Sequence, residues 1–286
     1  MPRVPVALAH GESVVHYDRG GSGPGLLLLH GTAASRESWE PVIAPLRTHF
    51  TVLTPDFSGA GLTTDHGGPV TVADLAAQAV AVIADAGLEE VHIAGHSLGA
   101  VVAAHVAATA PQRVRSVVLL AAWVRTDARQ EAEFRFWLDL LSRGPDAFAR
   151  LLPLMAFGPG YWRRATSSSN EELVRELTGI IQPGAARHVE TDLEVDLRPV
   201  LGAITAPVLV VGCAHDRLID VAQQRELVSR IPGALYAELD AGHAGAAEDP
   251  AGFIEQVLEF CGEGLVSVPG GSNRPERSRV PTAAPQ

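Results

Sequence analysis

Ser97 stands in Gly95-His96-Ser97-Leu98-Gly99, a short segment that holds one hydroxyl between two glycines. The apolar stretch Val91 to Ala94 precedes it, and a run of alanine and valine from Ala100 to Ala110 follows, so the spacing predicts a strand, a sharp turn and a helix. This is the context a nucleophile elbow requires, because the glycines permit a strained turn that projects the serine at the head of a helix. There the amide dipoles favour developing negative charge. A serine hydroxyl is a weak nucleophile until a base takes its proton. The same chain should therefore carry a histidine, and a carboxylate to orient it.

The chain has 11 histidines, so position must choose among them. His243 lies in Asp240-Ala241-Gly242-His243-Ala244-Gly245, directly after the apolar stretch Leu235 to Leu239. Asp216 lies in Ala214-His215-Asp216-Arg217, directly after the apolar stretch Pro207 to Cys213. Both fall past the carboxyl ends of expected strands, where open α/β sheets place their active sites. His96 is adjacent to the serine and should diverge from it on a sharp turn, while His92 alternates within a strand and reads as a packed core residue. His215 neighbours Asp216. Two acids rival Asp216 for the orienting role: Asp220, which also suits a helix cap ahead of Val221 to Arg230, and Asp127.

A tetrahedral oxyanion needs two donors. The backbone N–H of Leu98 is one candidate. The other should come from the loop His30-Gly31-Thr32-Ala33-Ala34-Ser35, with the N–H of Thr32 preferred and that of Ala33 as the alternative.

The elements that must position these groups alternate. Strand pattern appears over residues 12 to 18, Leu26 to Leu29, Thr51 to Leu53, Val91 to Ala94 and Val114 to Ala121, and it returns at Pro207 to Cys213 and Leu235 to Leu239. Helices are expected near Ser38 to Arg47, with Ser38 as a cap, and over Thr71 to Ala86, where Thr71 and Asp74 have capping-box spacing. Others are expected through Ala110, between the last two strands, and from Asp249 to Phe260. Parallel strands need crossover helices, so the alternation predicts an α/β fold with a mostly parallel sheet. Between Arg125 and Leu201 the pattern is helical only, with candidate helices at Ala128 to Leu141, Asp146 to Met155 and Asn170 to Ile181. That stretch reads as a helical cap over 125–201, inserted into a core of residues 1–124 and 202–263. The segment 264–286, rich in Pro, Gly, Ser and Arg, is expected to be disordered.

Composition is consistent with one large domain plus an insertion: 286 residues, of which 47% are hydrophobic and 19% charged. A net charge of −11 disfavours broad affinity for nucleic acid or anionic membrane. The expected partner is a small-molecule substrate, and the chain is expected to be a monomer or homodimer. No signal peptide or membrane span is predicted, and the cytoplasm is the expected address. Cys213 and Cys261 are the only cysteines, and Cys213, inside an apolar run, reads as a buried hydrophobe. No metal or cofactor is expected, since neither a phosphate loop nor a metal-ligand spacing occurs.

Taken together these residues resemble the α/β-hydrolase superfamily over about residues 12 to 261. Asp56-Phe57-Ser58-Gly59-Ala60-Gly61 is similar to the family's Asp-x-x-Gly-x-Gly turn, and Asp196-Leu197-Arg198-Pro199 leads back into the core as in relatives. The resemblance implies an eight-stranded, mostly parallel sheet and a Ser97–Asp216–His243 triad, with chain order favouring Asp216 over its rivals. Serine rather than aspartate at 97 sets the chain apart from the epoxide-hydrolase and haloalkane-dehalogenase branches. The implied activity is hydrolysis of a carboxylic ester, lactone or thioester through an acyl-enzyme. C–C bond hydrolysis, a cofactor-free peroxidase side activity, acyl transfer to an alcohol, and non-catalytic ligand binding remain open. Trp123, Trp137, Met155 and Phe157 are expected to line an apolar pocket, with Phe136 nearby, though most of such residues should pack the cap onto the core. Arg125, Arg163 and Arg164 read as solvated, and Glu190, Asp192, Glu194 and Asp196 as a wet surface.

Overall fold

The structure is a computed structural model and describes residues 1–262. The expected disorder of 264–286 lies outside the described residues. The elements run β1 (Arg3–Leu8), β2 (Gly11–Gly20), β3 (Gly25–Leu29), α1 (Glu40–Leu46), β4 (Thr51–Pro55), β5 (Thr64–Asp65), α2 (Val72–Asp85), β6 (Val91–His96), α3 (Leu98–Thr109) and β7 (Val114–Leu120). Five helices follow without an intervening strand: α4 (Ala128–Arg143), α5 (Pro145–Ala156), α6 (Pro159–Arg164), α7 (Ser167–Ile180) and α8 (Ala185–Leu193). The alternation then resumes with β8 (Val208–Cys213), α9 (Val221–Arg230), β9 (Leu235–Leu239), α10 (Gly245–Glu248) and α11 (Pro250–Cys261).

The strands form one sheet in the order β1-β2-β4-β3-β6-β7-β8-β9, with the two-residue β5 paired to β2 at the side. From β4 to β9 all neighbours are parallel, and β2 joins β1, β4 and β5 antiparallel. The mostly parallel sheet agrees with the sequence reading. β1, an antiparallel edge strand carrying Pro5, has no counterpart in that reading; proline is tolerated at a sheet edge and weakens the strand signal there.

Leu26 to Leu29 show why the middle of the sheet reads as unbroken apolar runs. Successive side chains point to opposite faces. Leu27 and Leu29 join the layer made with α2 and α3, while Leu26 and Leu28 join the layer made with α1 and α11. Both faces are covered, so every position is apolar. α3 is buried except along His105, Ala108 and Thr109, and its alanines and valines let it lie close against the strands. Phe134, Trp137, Phe148, Val174 and Val189, from α4, α5, α7 and α8, extend the α2–α3 layer outward. The five helices between β7 and β8 are thus packed onto the sheet by a continuous apolar core.

Local signals fix several ends. Thr71 and Asp74 form the expected reciprocal cap of α2. Ser38, by contrast, caps nothing: Ser35 caps a short 3₁₀ turn at Arg36–Trp39, and α1 begins only at Glu40. Asp127 caps α4 by accepting the N–H groups of Arg129 and Gln130, and Asp220 caps α9 by accepting that of Ala222.

Candidate active site

β6 ends at His96, and the chain turns through Ser97 into α3. Ser97 adopts φ 54° and ψ −122°, a conformation that costs of order 1–3 kcal/mol in a non-glycine residue and persists only where the surroundings impose it. The Ser97 N–H donates to the Leu120 carbonyl at 2.9 Å, and the Ser97 carbonyl accepts from Ala100 and Val101. The flanking glycines are sterically required: a Cβ on Gly95 would overlap the Gly99 carbonyl, and one on Gly99 would overlap that of Leu29.

Three loops past the carboxyl ends of strands converge on this turn. The His243 Nε2 lies 2.9 Å from Ser97 Oγ, and its Nδ1 lies 2.8 Å from Asp216 Oδ2. The other oxygen of Asp216 accepts the N–H groups of Leu218 at 2.9 Å and Ile219 at 2.8 Å. All three residues are nearly buried, His243 and Asp216 with side chains 8% and 1% exposed. The loop carrying His243 is tied down from both sides. His96 Nε2–H donates to the His243 carbonyl at 2.8 Å, and Glu248 accepts the N–H groups of both Gly242 (2.7 Å) and Gly158 (3.0 Å). Gly158 and Gly242 touch backbone to backbone, and Ala244 donates to the Ala156 carbonyl, so the α5–α6 junction rests on the histidine loop.

The loop after β3 lies beside Ser97 because β3 and β6 are parallel neighbours, with Leu29 opposite Gly95. His30 shapes this loop from within: Nδ1–H donates to the Gly31 carbonyl at 2.9 Å and Nε2 accepts the Phe57 N–H at 3.0 Å. Burial lowers its pKa, in keeping with a neutral ring. The Ala33 N–H donates to His188 Nδ1 at 3.4 Å. The N–H groups of Thr32 and Leu98 donate to no acceptor among the described residues. Of the two amides weighed for this loop, Thr32 is therefore the free one.

The rival acids sit elsewhere, in the helix caps described above. His92 Nδ1 pairs with Ser116 Oγ in the core at 2.7 Å, and His215 Nε2 with Asp240 at the surface. Trp123 and Trp137 are buried in a chain of ring contacts, Trp123–Phe134–Trp137–Phe148, with Trp123 Nε1 donating to Thr126 Oγ1. Phe157 stacks on Tyr161 at 4.4 Å, Met155 is half-buried, and Phe136 is exposed. Arg125, Arg163 and Arg164 are exposed, as expected. Cys213 and Cys261 are both buried and unpaired. Among the described residues no cluster of three or more His, Cys, Asp or Glu side chains could hold a metal ion, and no helix is long and apolar enough to cross a membrane.

One expectation is corrected. Glu190 and Glu194 are exposed, and Asp196 pairs with Arg198 at the surface, but Asp192 is 1% exposed. Its Oδ2 accepts the Thr32 hydroxyl at 2.6 Å. Burial raises its pKa well above the ordinary carboxylate range, partly opposed by the bond from Thr32. One helical turn earlier, His188 is fully buried, its Nε2–H bonded to the Ser58 carbonyl at 2.8 Å. Burial lowers its pKa to about 4. The i, i+4 spacing puts both side chains on one face of α8, and that face braces the Thr32–Ala33 loop. Neither residue was singled out for the site by the sequence; the available signal was the histidine and aspartate one turn apart after the Pro183-Gly184 break.

A profile of the α/β-hydrolase fold family matches residues 24–250, and the chain belongs to that family. It is therefore an enzyme of the hydrolase class. A pyrrolizixenacetamide deacetylase from Xenorhabdus hominickii is 36% identical over 253 residues, covering 87% of this chain and 95% of the relative. The crystal structure of the enol-lactonase from Burkholderia xenovorans superposes with a TM-score of 0.78 at 26% identity, covering 91% of this chain and 100% of that one. A hydrolase from Pseudomonas aeruginosa superposes with a TM-score of 0.79 at 25% identity, covering 91% and 98%.

Proposed function

We propose that the protein hydrolyses a carboxylic ester or amide bond through an acyl-enzyme on Ser97. The observation that carries this reading is the unbroken run Asp216 Oδ2–His243 Nδ1 at 2.8 Å and His243 Nε2–Ser97 Oγ at 2.9 Å, ending on a serine held in a strained turn. His243 takes the Ser97 proton as Oγ attacks the acyl carbon. The amides of Thr32 and Leu98 receive the oxyanion. The imidazolium then protonates the leaving alcohol or amine, which departs, and Asp216 stabilises the ring while it is charged. A water loses its proton to His243, attacks the acyl carbon, and the free acid leaves with Ser97 reprotonated. The names of the relatives, a deacetylase and an enol-lactonase, describe cleavage between an acyl carbon and nitrogen or oxygen. Residues 125–201 act as a cap over this centre, in keeping with the contact of Gly158 on Gly242 and of α8 on Thr32.

The test is intact-mass analysis after fluorophosphonate treatment, with turnover of 4-nitrophenyl esters and anilides alongside. One adduct per chain, absent in Ser97→Ala and slowed in His243→Ala, is the expected result. Folded protein that takes no adduct and turns over nothing would rule the acyl-enzyme out and move ligand binding to the front.

A further inference from the structure

α4 is docked on the loop that carries Asp216. The Arg129 guanidinium donates to the carbonyls of Arg217 and Leu218, and the Leu218 N–H is one of the two that fix Asp216 Oδ1. One turn further along α4, Glu133 pairs with Arg129 at 3.3 Å through Oε2. Its side chain is only 11% exposed, and its Oε1 is fully buried with no hydrogen-bond partner among the described residues. Another turn on, the buried Nε1–H of Trp137 is likewise unpartnered. One face of one helix thus holds a bare acceptor, Glu133 Oε1, and, four residues later, a bare donor, Trp137 Nε1. A buried polar atom left without a partner costs roughly as much as a lost hydrogen bond or more, so the bare Glu133 Oε1 asks for a hydrogen-bond donor.

We propose that Glu133 is a specificity-determining residue that accepts a hydrogen bond from a donor on the leaving group of the substrate, an ammonium or a hydroxyl. The inference rests on the acyl-transfer reading of Ser97. The leaving-group side follows from position, because Glu133 lies within electrostatic reach of His243 and Asp216, and His243 is the group that delivers the proton to the departing atom. Burial pushes the Glu133 carboxyl up to about 6, with Arg129 and His243 drawing it down and Asp216 adding to the rise. Above that pH Oε1 therefore belongs to a carboxylate, which accepts from a cation and from a neutral hydroxyl alike.

The experiment compares kcat/KM at pH 7.5 for three acetate esters of one shape: 3-methylbutyl, 3-hydroxybutyl and 2-(dimethylamino)ethyl acetate. Wild type is expected to favour one or both donor-bearing esters over the 3-methylbutyl ester by about tenfold or more, the gain of one charge-assisted or neutral hydrogen bond. Glu133→Gln keeps an acceptor without charge, so a preference for the hydroxyl ester should survive it and a preference for the ammonium ester should not. Glu133→Leu should bring all three esters to the same value. Wild type that treats the esters alike, or a Leu variant that lowers all three by the same factor, overturns the assignment. Fluorophosphonate labelling of Ser97 in each variant separates the two levels. Labelled protein without preference defeats only the role of Glu133, whereas unlabelled protein that turns over no ester defeats the acyl-transfer reading and this inference with it.

Discussion

The Thr32 hydroxyl donates to Asp192 Oδ2 at 2.6 Å, joining the loop after β3 to a helix of the insertion 160 residues away in sequence. The Thr32 amide is one of the two proposed oxyanion donors, so this bond sets the pose of a group that must be aimed before the reaction begins. Thr32→Val removes it and is expected to lower kcat about five- to tenfold, with KM little changed, the worth of one hydrogen bond realised in the transition state. A fall in KM-dependent binding with kcat intact would contradict the positioning role.

Asp192 itself makes a sharper prediction, because burial raises its pKa and opposes its ionisation. The sign follows from linkage. An acid whose folded pKa exceeds its unfolded value stabilises the fold most at low pH, and that contribution is lost as pH rises past the unfolded pKa near 4. Asparagine at this position accepts the same hydroxyl and cannot ionise. Asp192→Asn should therefore retain kcat and show a Tm at pH 8 equal to or above that of wild type, whereas Asp192→Ala should lose both. A Tm for Asp192→Asn well below wild type at pH 8 would show that the charge is needed.

Asp216 is held in a single orientation. Its Oδ1 already accepts two backbone N–H groups, from Leu218 and Ile219. In Asp216→Asn those donors keep the amide oxygen in that place, and the NH₂ must turn toward His243. Nδ1 then has to accept, Nε2 carries the proton, and the ring can no longer receive one from Ser97. A fall in kcat of about ten-thousandfold is expected, with fold and Tm near wild type. Asp127→Ala and Asp220→Ala, which remove helix caps, should instead cost about 1 kcal/mol of stability each and leave the rate nearly untouched. A large rate loss at either one would reassign the orienting acid.

Gly99 lies where α3 meets β3, and a methyl group there would run into the carbonyls of Leu29 and His30, both backbone and unable to yield. Gly99→Ala is expected to destabilise by several kcal/mol, enough to lower Tm by 10 °C or more or to prevent recovery of folded protein, estimates on the order of those for severe core disruption. Gly202→Ala, where a Cβ meets nothing and φ is ordinary, should change stability by less than about 0.5 kcal/mol. Comparable melting curves for the two variants would argue against close packing at the turn.

The residues that the sequence makes legible are those whose role is written in local grammar. Ser97, Asp216 and His243 each follow a short apolar strand on a loop, and glycines flank the serine and lead into the histidine, so backbone turns mark them before any contact is known. His188 and Asp192 carry no such mark. Along the chain, Asp192 sits in a row with Glu190, Glu194 and Asp196 and looks solvated. Only the packing of α8 against the loop after β3 decides that this acid alone is buried. Glu133 is hidden in the same way, one charge among several on a helix whose neutral-looking docking depends on Arg129 reaching the Asp216 loop. Trp123 and Trp137 are legible as apolar residues that either line a pocket or pack the helices after β7 onto the core, and only the ring chain Trp123–Phe134–Trp137–Phe148 shows which partners they take.

The buried histidines carry the last prediction. His30, His92, His96 and His188 are all held with lowered pKa values, about 4 for His92 and His188 and about 3 for His96, burial being the largest cause in each. Their bonding fits neutral rings: His30 and His188 each donate from one nitrogen and accept a backbone N–H at the other. A base whose folded pKa is depressed contributes stability above its unfolded pKa, near 6.5, and loses it as pH falls toward the folded value. Each such group adds a slope of about 1.4 kcal/mol per pH unit in that window, so four together should make the fold much weaker at pH 5 than at pH 7. Urea unfolding at the two pH values reads this directly. His92 is remote from Ser97, paired with Ser116 in the core, so His92→Gln removes one titrating group without touching the site and should flatten the dependence by about one proton's worth. A urea midpoint that is the same at pH 5 and pH 7 would mean that these rings are protonated as easily in the folded protein as in the unfolded chain.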